Sequence, residues 1–167
     1  MKKVLFTIAL GCIAAGLMAQ PGSALKSEIA FKDAKVGLAY NHYLQLKDAL
    51  VASKADAAKE AAIKLKTSLG TVKEGNPDRY RGAMNEATKI ANASTIEEIR
   101  KSFASLSNEM TQMVKAEHLS KGVLYLEYCP MANNNTGAYW LSNEKEIKNP
   151  YFGDKMLRCG SVKETIQ

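Results

Sequence analysis

Three observations predict a mostly α fold, an antiparallel four-helix bundle with a C-terminal loop and short-strand segment packed on it. Apolar residues recur at three- and four-residue steps in four successive stretches between Ser27 and Met113. Short links separate those stretches, which is how antiparallel helical neighbours are joined. Past His118 the helical period stops, and a short apolar run and turn-forming residues replace it.

The first helix spans Ser27 to about Ser53, with Val36, Ala39, Tyr43, Leu46 and Leu50 on one face. The second carries Ala58, Ala61, Leu65 and Leu69 in an alanine-rich stretch, and Gly70 stands where a helix stops. Gly75-Asn76-Pro77-Asp78 reads as a turn that starts the third helix, Asn76 capping and Pro77 sitting where no N–H is needed. Tyr80, Ala83, Met84, Ala87 and Ile90 are its inner face. In the fourth, Thr95 and Glu98 have capping-box spacing, and Ile96, Ile99, Phe103, Leu106, Met110 and Met113 follow without a break. The methionines of these helices are read as core. Val123 to Tyr128 then has the texture of a short strand, and Asn133 to Gly137 that of a turn.

Residues 1–19 are expected to be a signal peptide: Lys2 and Lys3 precede an apolar run from Val4 to Met18, and cleavage is expected after Ala19. Residues 20–167 are then one domain, periplasmic and without a membrane span, since the apolar run falls short of the ~20 residues a span needs. Lipidation at Cys12 is the weaker alternative, because the aliphatic residue usual three before such a cysteine is missing. The net charge of +6 includes Lys2 and Lys3, and the remaining lysines, such as Lys54, Lys59, Lys64 and Lys66, are spread along helices. A solvated helix surface explains them better than a nucleic-acid partner does.

The chemistry-bearing residues lie in the segment 118–167. Cys129-Pro130-Met131 places a thiol and a thioether two apart, on the same side of an extended segment. Met156 and Cys159 are three apart, one face of a helical turn, with Gly160 as its stop. Thiolates and thioethers select soft ions such as Cu(I) or Ag(I), while zinc seldom takes methionine. His118 is an outside candidate ligand, and Trp140 has a ring suited to face a cation. Each has a plainer reading: Met131 and Met156 as core filler, Trp140 as the anchor of the tail, and His118 as a charge at a helix end. His42 reads as a packed or surface histidine. No glycine-rich phosphate loop or paired-histidine motif is present, and nothing local supports a Cys-His nucleophile, so the chain is read as a non-enzyme.

The runs Tyr128-Cys-Pro-Met-Ala132, Gly137-Ala-Tyr-Trp-Leu-Ser142 and Ile147 to Gly160 resemble the C-terminal signature of domain-of-unknown-function family 3347, with Tyr43 to Leu50 also similar. The resemblance implies an exported protein of the bacterial envelope connected with soft-metal handling, because family members also occur as extensions of periplasmic adaptor subunits similar to those of copper and silver efflux pumps. Cys129-Pro-Met131 is also similar to the Cys-Pro-Met-His-Pro core of short heavy-metal-binding domains, with Ala132 and Asn133 in place of the His and Pro.

The leading expectation is therefore a periplasmic protein that binds Cu(I) or Ag(I) through Cys129, Met131, Met156 and Cys159, His118 standing by, and either sequesters the ion or passes it to an efflux adaptor subunit. Its rival is a non-catalytic interaction module in which a Cys129–Cys159 disulfide pins the tail, contributing roughly 3 to 4 kcal/mol in the chain-entropy model.

Overall fold

The computed structural model describes residues 28–72 and 77–167. The expected signal peptide, its cleavage point, Cys12 and the Asn76 cap lie outside them. The described chain is mostly helical, with two small antiparallel sheets. The order is β1 (Ala30–Phe31), α1 (Ala34–Val51), α2 (Ala55–Leu69), a 3-10 turn (Pro77–Tyr80), α3 (Arg81–Ala91), α4 (Ile96–Ala116), β2 (Leu119–Lys121), β3 (Leu124–Cys129), the four-residue α5 (Ala132–Asn135), β4 (Ala138–Ser142), a second 3-10 turn (Gly153–Lys155) and β5 (Ser161–Ile166).

Each helix packs on the next in sequence, α1 on α2, α2 on α3 and α3 on α4. The apolar faces expected from the 3.6-residue period are the buried ones: Val36, Ala39, Tyr43, Leu46 and Leu50 of α1, and Ala58, Ala61, Leu65 and Leu69 of α2, are all buried. In α4, Ile99, Phe103, Leu106, Met110 and Met113 are buried too, while Met84 of α3 is only partly so. The capping box forms as spaced: Thr95 Oγ1 accepts from the Glu98 backbone N–H at 3.2 Å, and Glu98 Oε2 accepts from the N–H of Thr95 and of Ser94.

Two expectations about elements need correction. The first helix starts at Ala34 rather than Ser27, because Ala30 and Phe31 pair with β2 and Asp33 then caps α1 by accepting from the Lys35 N–H at 2.8 Å. The tail holds more than a short strand in a loop: it is a three-stranded antiparallel sheet, ordered β4-β3-β5. Strand β5 reads Ser-Val-Lys-Glu-Thr-Ile and is exposed over most of its length, so burial leaves no apolar alternation to signal it.

The sheet meets the helices through β4, which lies on α4. A continuous line of rings, Phe31, Tyr40, Tyr43, Phe103, Tyr151 and Trp140, runs from β1 through the helices to β4, with successive centroids 5.4 to 6.1 Å apart. Tyr43 locks this contact by accepting from the Leu141 backbone N–H at 3.0 Å, and its hydroxyl shares a second hydrogen bond with Ser107 Oγ at 2.8 Å. Arg100 of α4 is a second lock, donating to the carbonyls of Pro150 and Leu50 and to Ser53 Oγ.

Candidate functional site

Strand pairing brings the two cysteines together. Tyr128 of β3 is opposite Ser161 of β5, so Cys129 at the end of β3 and Cys159 just before β5 approach across the last rung of the ladder. Both thiols are free, and they lie near enough for Cys129 to act on the titration of Cys159. That proximity to Cys129, followed by burial and the charge Cys129 can carry, pushes the Cys159 thiol up to about 11. Cys129 is fully buried, whereas Cys159 is half-buried.

The loop that delivers Cys159 is organised by a residue that the reading of the sequence missed. Asn149 is buried, its Nδ2 donating to the Cys159 carbonyl at 2.7 Å and its Oδ1 accepting from the N–H of Tyr151 and Phe152. Its own backbone N–H donates to the Leu157 carbonyl. The signal was available in Asn149-Pro150, since an Asn side chain ahead of a proline turn commonly accepts from the backbone two and three residues on. Gly160 also has a different role from the helix stop expected of it. Its φ is +146°, and a Cβ there would come within 2.8 Å of the Trp140 ring and 3.1 Å of the Tyr128 carbonyl.

The thioethers are not placed as the spacing predicted. Strand β3 ends at Cys129 and Met131 has helical φ/ψ of −84° and −12°, so the chain turns at Pro130 instead of running extended. The two side chains part: Cys129 is buried and Met131 is among the most exposed apolar residues. Asn133, Asn134 and Asn135 follow with φ of 51° to 63°, a left-handed turn for which asparagine is the best suited residue after glycine. Met131 and this turn line a surface cleft of about 610 Å³ shared with Glu97, Lys101 and Phe152. Met156 and Cys159 are joined by a turn, the Cys159 N–H donating to the Met156 carbonyl at 3.0 Å, but Met156 has φ/ψ of −148° and 50° and no helix forms. Met156 is half-buried.

His118 is not brought to the sulfurs. It is exposed just beyond the C-terminal end of α4, and its carbonyl accepts from the Lys32 N–H. Met131 lies against the first two turns of that helix, and 21 residues of α4 span about 30 Å. Trp140 is buried edge-on to Tyr151, in the core rather than at an ion's approach. His42 hydrogen-bonds Ser68 Oγ at 3.0 Å, and burial, with Lys64 second, holds its pKa below the ordinary value.

Beside Cys129 on β3 is an acidic residue that the sequence reading also missed. Glu127 is fully buried, opposite Trp140 in the β3–β4 ladder, and its carboxylate oxygens have no hydrogen-bond partner. Burial pushes it up to about 8; Lys47 of α1, itself buried, pulls the other way, as does the nearby Trp140 indole N–H without reaching normal hydrogen-bond geometry. Among the described residues no three of His, Cys, Asp and Glu converge. Among the described residues the two thiols are the soft donors that the strand pairing makes neighbours.

A model of the family described as "Protein of unknown function (DUF3347)" matches residues 39–122. The match runs from α1 through β2 and ends before β3, so the tail residues that carry the resemblance to the family in sequence lie beyond it. No curated protein and no solved structure matches the chain. Among the described residues no helix is long and apolar enough to cross a membrane.

Proposed function

The chain belongs to the DUF3347 family, whose function is unknown, and from its own residues we propose that it binds a soft monovalent ion, Cu(I) or Ag(I), as cargo. The observation that carries this is the meeting of the Cys129 and Cys159 thiols at the end of β3. Two sulfurs suffice for an ion that accepts low coordination numbers and prefers sulfur to oxygen, and Met131 in the adjoining turn is the nearest thioether by sequence. Met156, at the start of the turn that Cys159 closes, is the fourth candidate. His118, exposed beyond the C-terminal end of α4, is left out of the proposed set.

On this reading α1 to α4 form an antiparallel bundle that serves as rigid support, and Asn149 and Gly160 hold the thiols in register. The protein acts without catalysis, in the periplasm after removal of residues 1–19, and hands its ion to an efflux adaptor subunit. Binding releases thiol protons, so affinity falls as pH falls.

Competition of reduced, full-length protein against a Cu(I) chelator tests the site. One ion per chain is expected, with Cys129→Ser and Cys159→Ser each weakening binding at least about a hundredfold and Met131→Leu or Met156→Leu about tenfold or less, because a thiolate carries charge and a thioether does not. Equal affinity in all four variants overturns the site, and zinc bound in preference to Cu(I) reassigns the ion.

A further inference from the structure

The two thiols are neighbours at the end of the β3–β5 ladder, yet only one is open to solvent. Cys129 is fully buried at the end of β3, behind the turn at Pro130, whereas Cys159 is half-buried on the loop before β5. A soluble disulfide therefore has a path to Cys159 and none to Cys129 while the sheet is formed. The register of β3 and β5 holds Cys129 beside the Cys159 sulfur.

From this asymmetry we propose that Cys159 is a site of mixed-disulfide formation with small-molecule disulfides, and that Cys129 is its resolving thiol. In the first step the Cys159 thiolate attacks one sulfur of the incoming disulfide, forming one S–S bond and expelling one thiolate. In the second, Cys129 attacks the Cys159 sulfur, forming the intramolecular disulfide and expelling the other thiolate. The chain loses two protons and two electrons, and the incoming disulfide is reduced to two thiols. The order is fixed by access, and it holds whether or not the pair also takes an ion.

Removing Cys129 takes away the resolving sulfur.

The experiment uses reduced full-length protein, free of metal and with a chelator present, treated with oxidised glutathione and followed by intact mass. Cys129→Ala is expected to accumulate a single glutathione adduct, mapped to Cys159. Cys159→Ala is expected to stay unmodified until denaturant is added. Wild type is expected to lose two hydrogens and retain no adduct. Because a substitution at buried Cys129 can disturb folding, native wild-type protein is also alkylated briefly with iodoacetamide and digested. Cys159 is expected to be labelled at least about tenfold faster than Cys129, whose labelling waits on opening of the sheet. Equal labelling of the two in folded wild type, or a stable adduct on wild type, overturns the proposal. Because no metal is present, failure of the Cu(I) titration leaves this outcome unchanged.

Discussion

Glu127 is fully buried on β3 beside Trp140, and its pKa near 8 stands above the 4.5 of an ordinary glutamate. Its carboxyl group keeps its proton to higher pH in the folded chain than in the unfolded one. Below about 4.5 both states are protonated and the residue carries no charge penalty. As pH rises from there through about 8, the unfolded chain ionises first and folding loses free energy. Glu127→Gln is therefore expected to gain stability over wild type across that window, by at least about 1 kcal/mol at pH 8.5 relative to pH 5. Denaturant melts at the two pH values measure it, and a constant difference would show that Glu127 is already ionised in the folded protein. Nothing in the sequence marked Glu127, because a glutamate in Leu-Tyr-Leu-Glu-Tyr reads as the polar side of a strand. In the fold it is buried opposite Trp140, which is itself fully buried. Lys47 is the same case on α1, buried and paired with Asp48 at 2.8 Å.

The helices were legible because their signal is local. A 3.6-residue period, a Thr-x-x-Glu box and a turn at Gly70 each depend on residues within one or two turns of one another, and the structure realises all three, although Gly70 caps α2 in a right-handed conformation. The tail elements were less legible. Strand β5 has no alternation, β1 is two residues long, and Pro130 ends β3 where an extended reading continued it. The apolar faces of α1, α2 and α4 do not include the tail sulfurs, and this separation can be tested. A Cys129→Ser, Cys159→Ser chain is expected to retain most of its far-ultraviolet helical signal, because Leu46, Leu65, Ile99 and Leu106 remain to bury one another. Loss of most of that signal would make the sheet part of the folding unit of the helices.

At the scale of the whole molecule, helices and tail are joined by the aromatic line from Phe31 to Trp140 and by Arg100, which ties α4 to the end of α1 and to the Pro150 loop. Arg100→Ala is expected to lower the free energy of unfolding by about 1 to 3 kcal/mol, since it leaves carbonyl acceptors without their donor. Arg100→Lys should recover little of it, because one ammonium cannot reproduce the fork geometry. A denaturant midpoint unchanged in both variants would remove Arg100 as a link. By itself the sequence determined the mostly helical character, the faces of the four long helices, the cap of α4 and the identity of the soft donors, because each is written in residue type and short-range spacing. Only the tertiary structure decided which donors meet. Cys129 and Cys159 are brought together by the register of β3 with β5 and by the hydrogen bonds of Asn149, whereas the turn at Pro130 leaves Met131 exposed beside buried Cys129 and His118 lies beyond the far end of α4. Spacing along a chain predicts proximity only while the backbone conformation between two residues is known, and in this tail that conformation is set by the surface on which it packs.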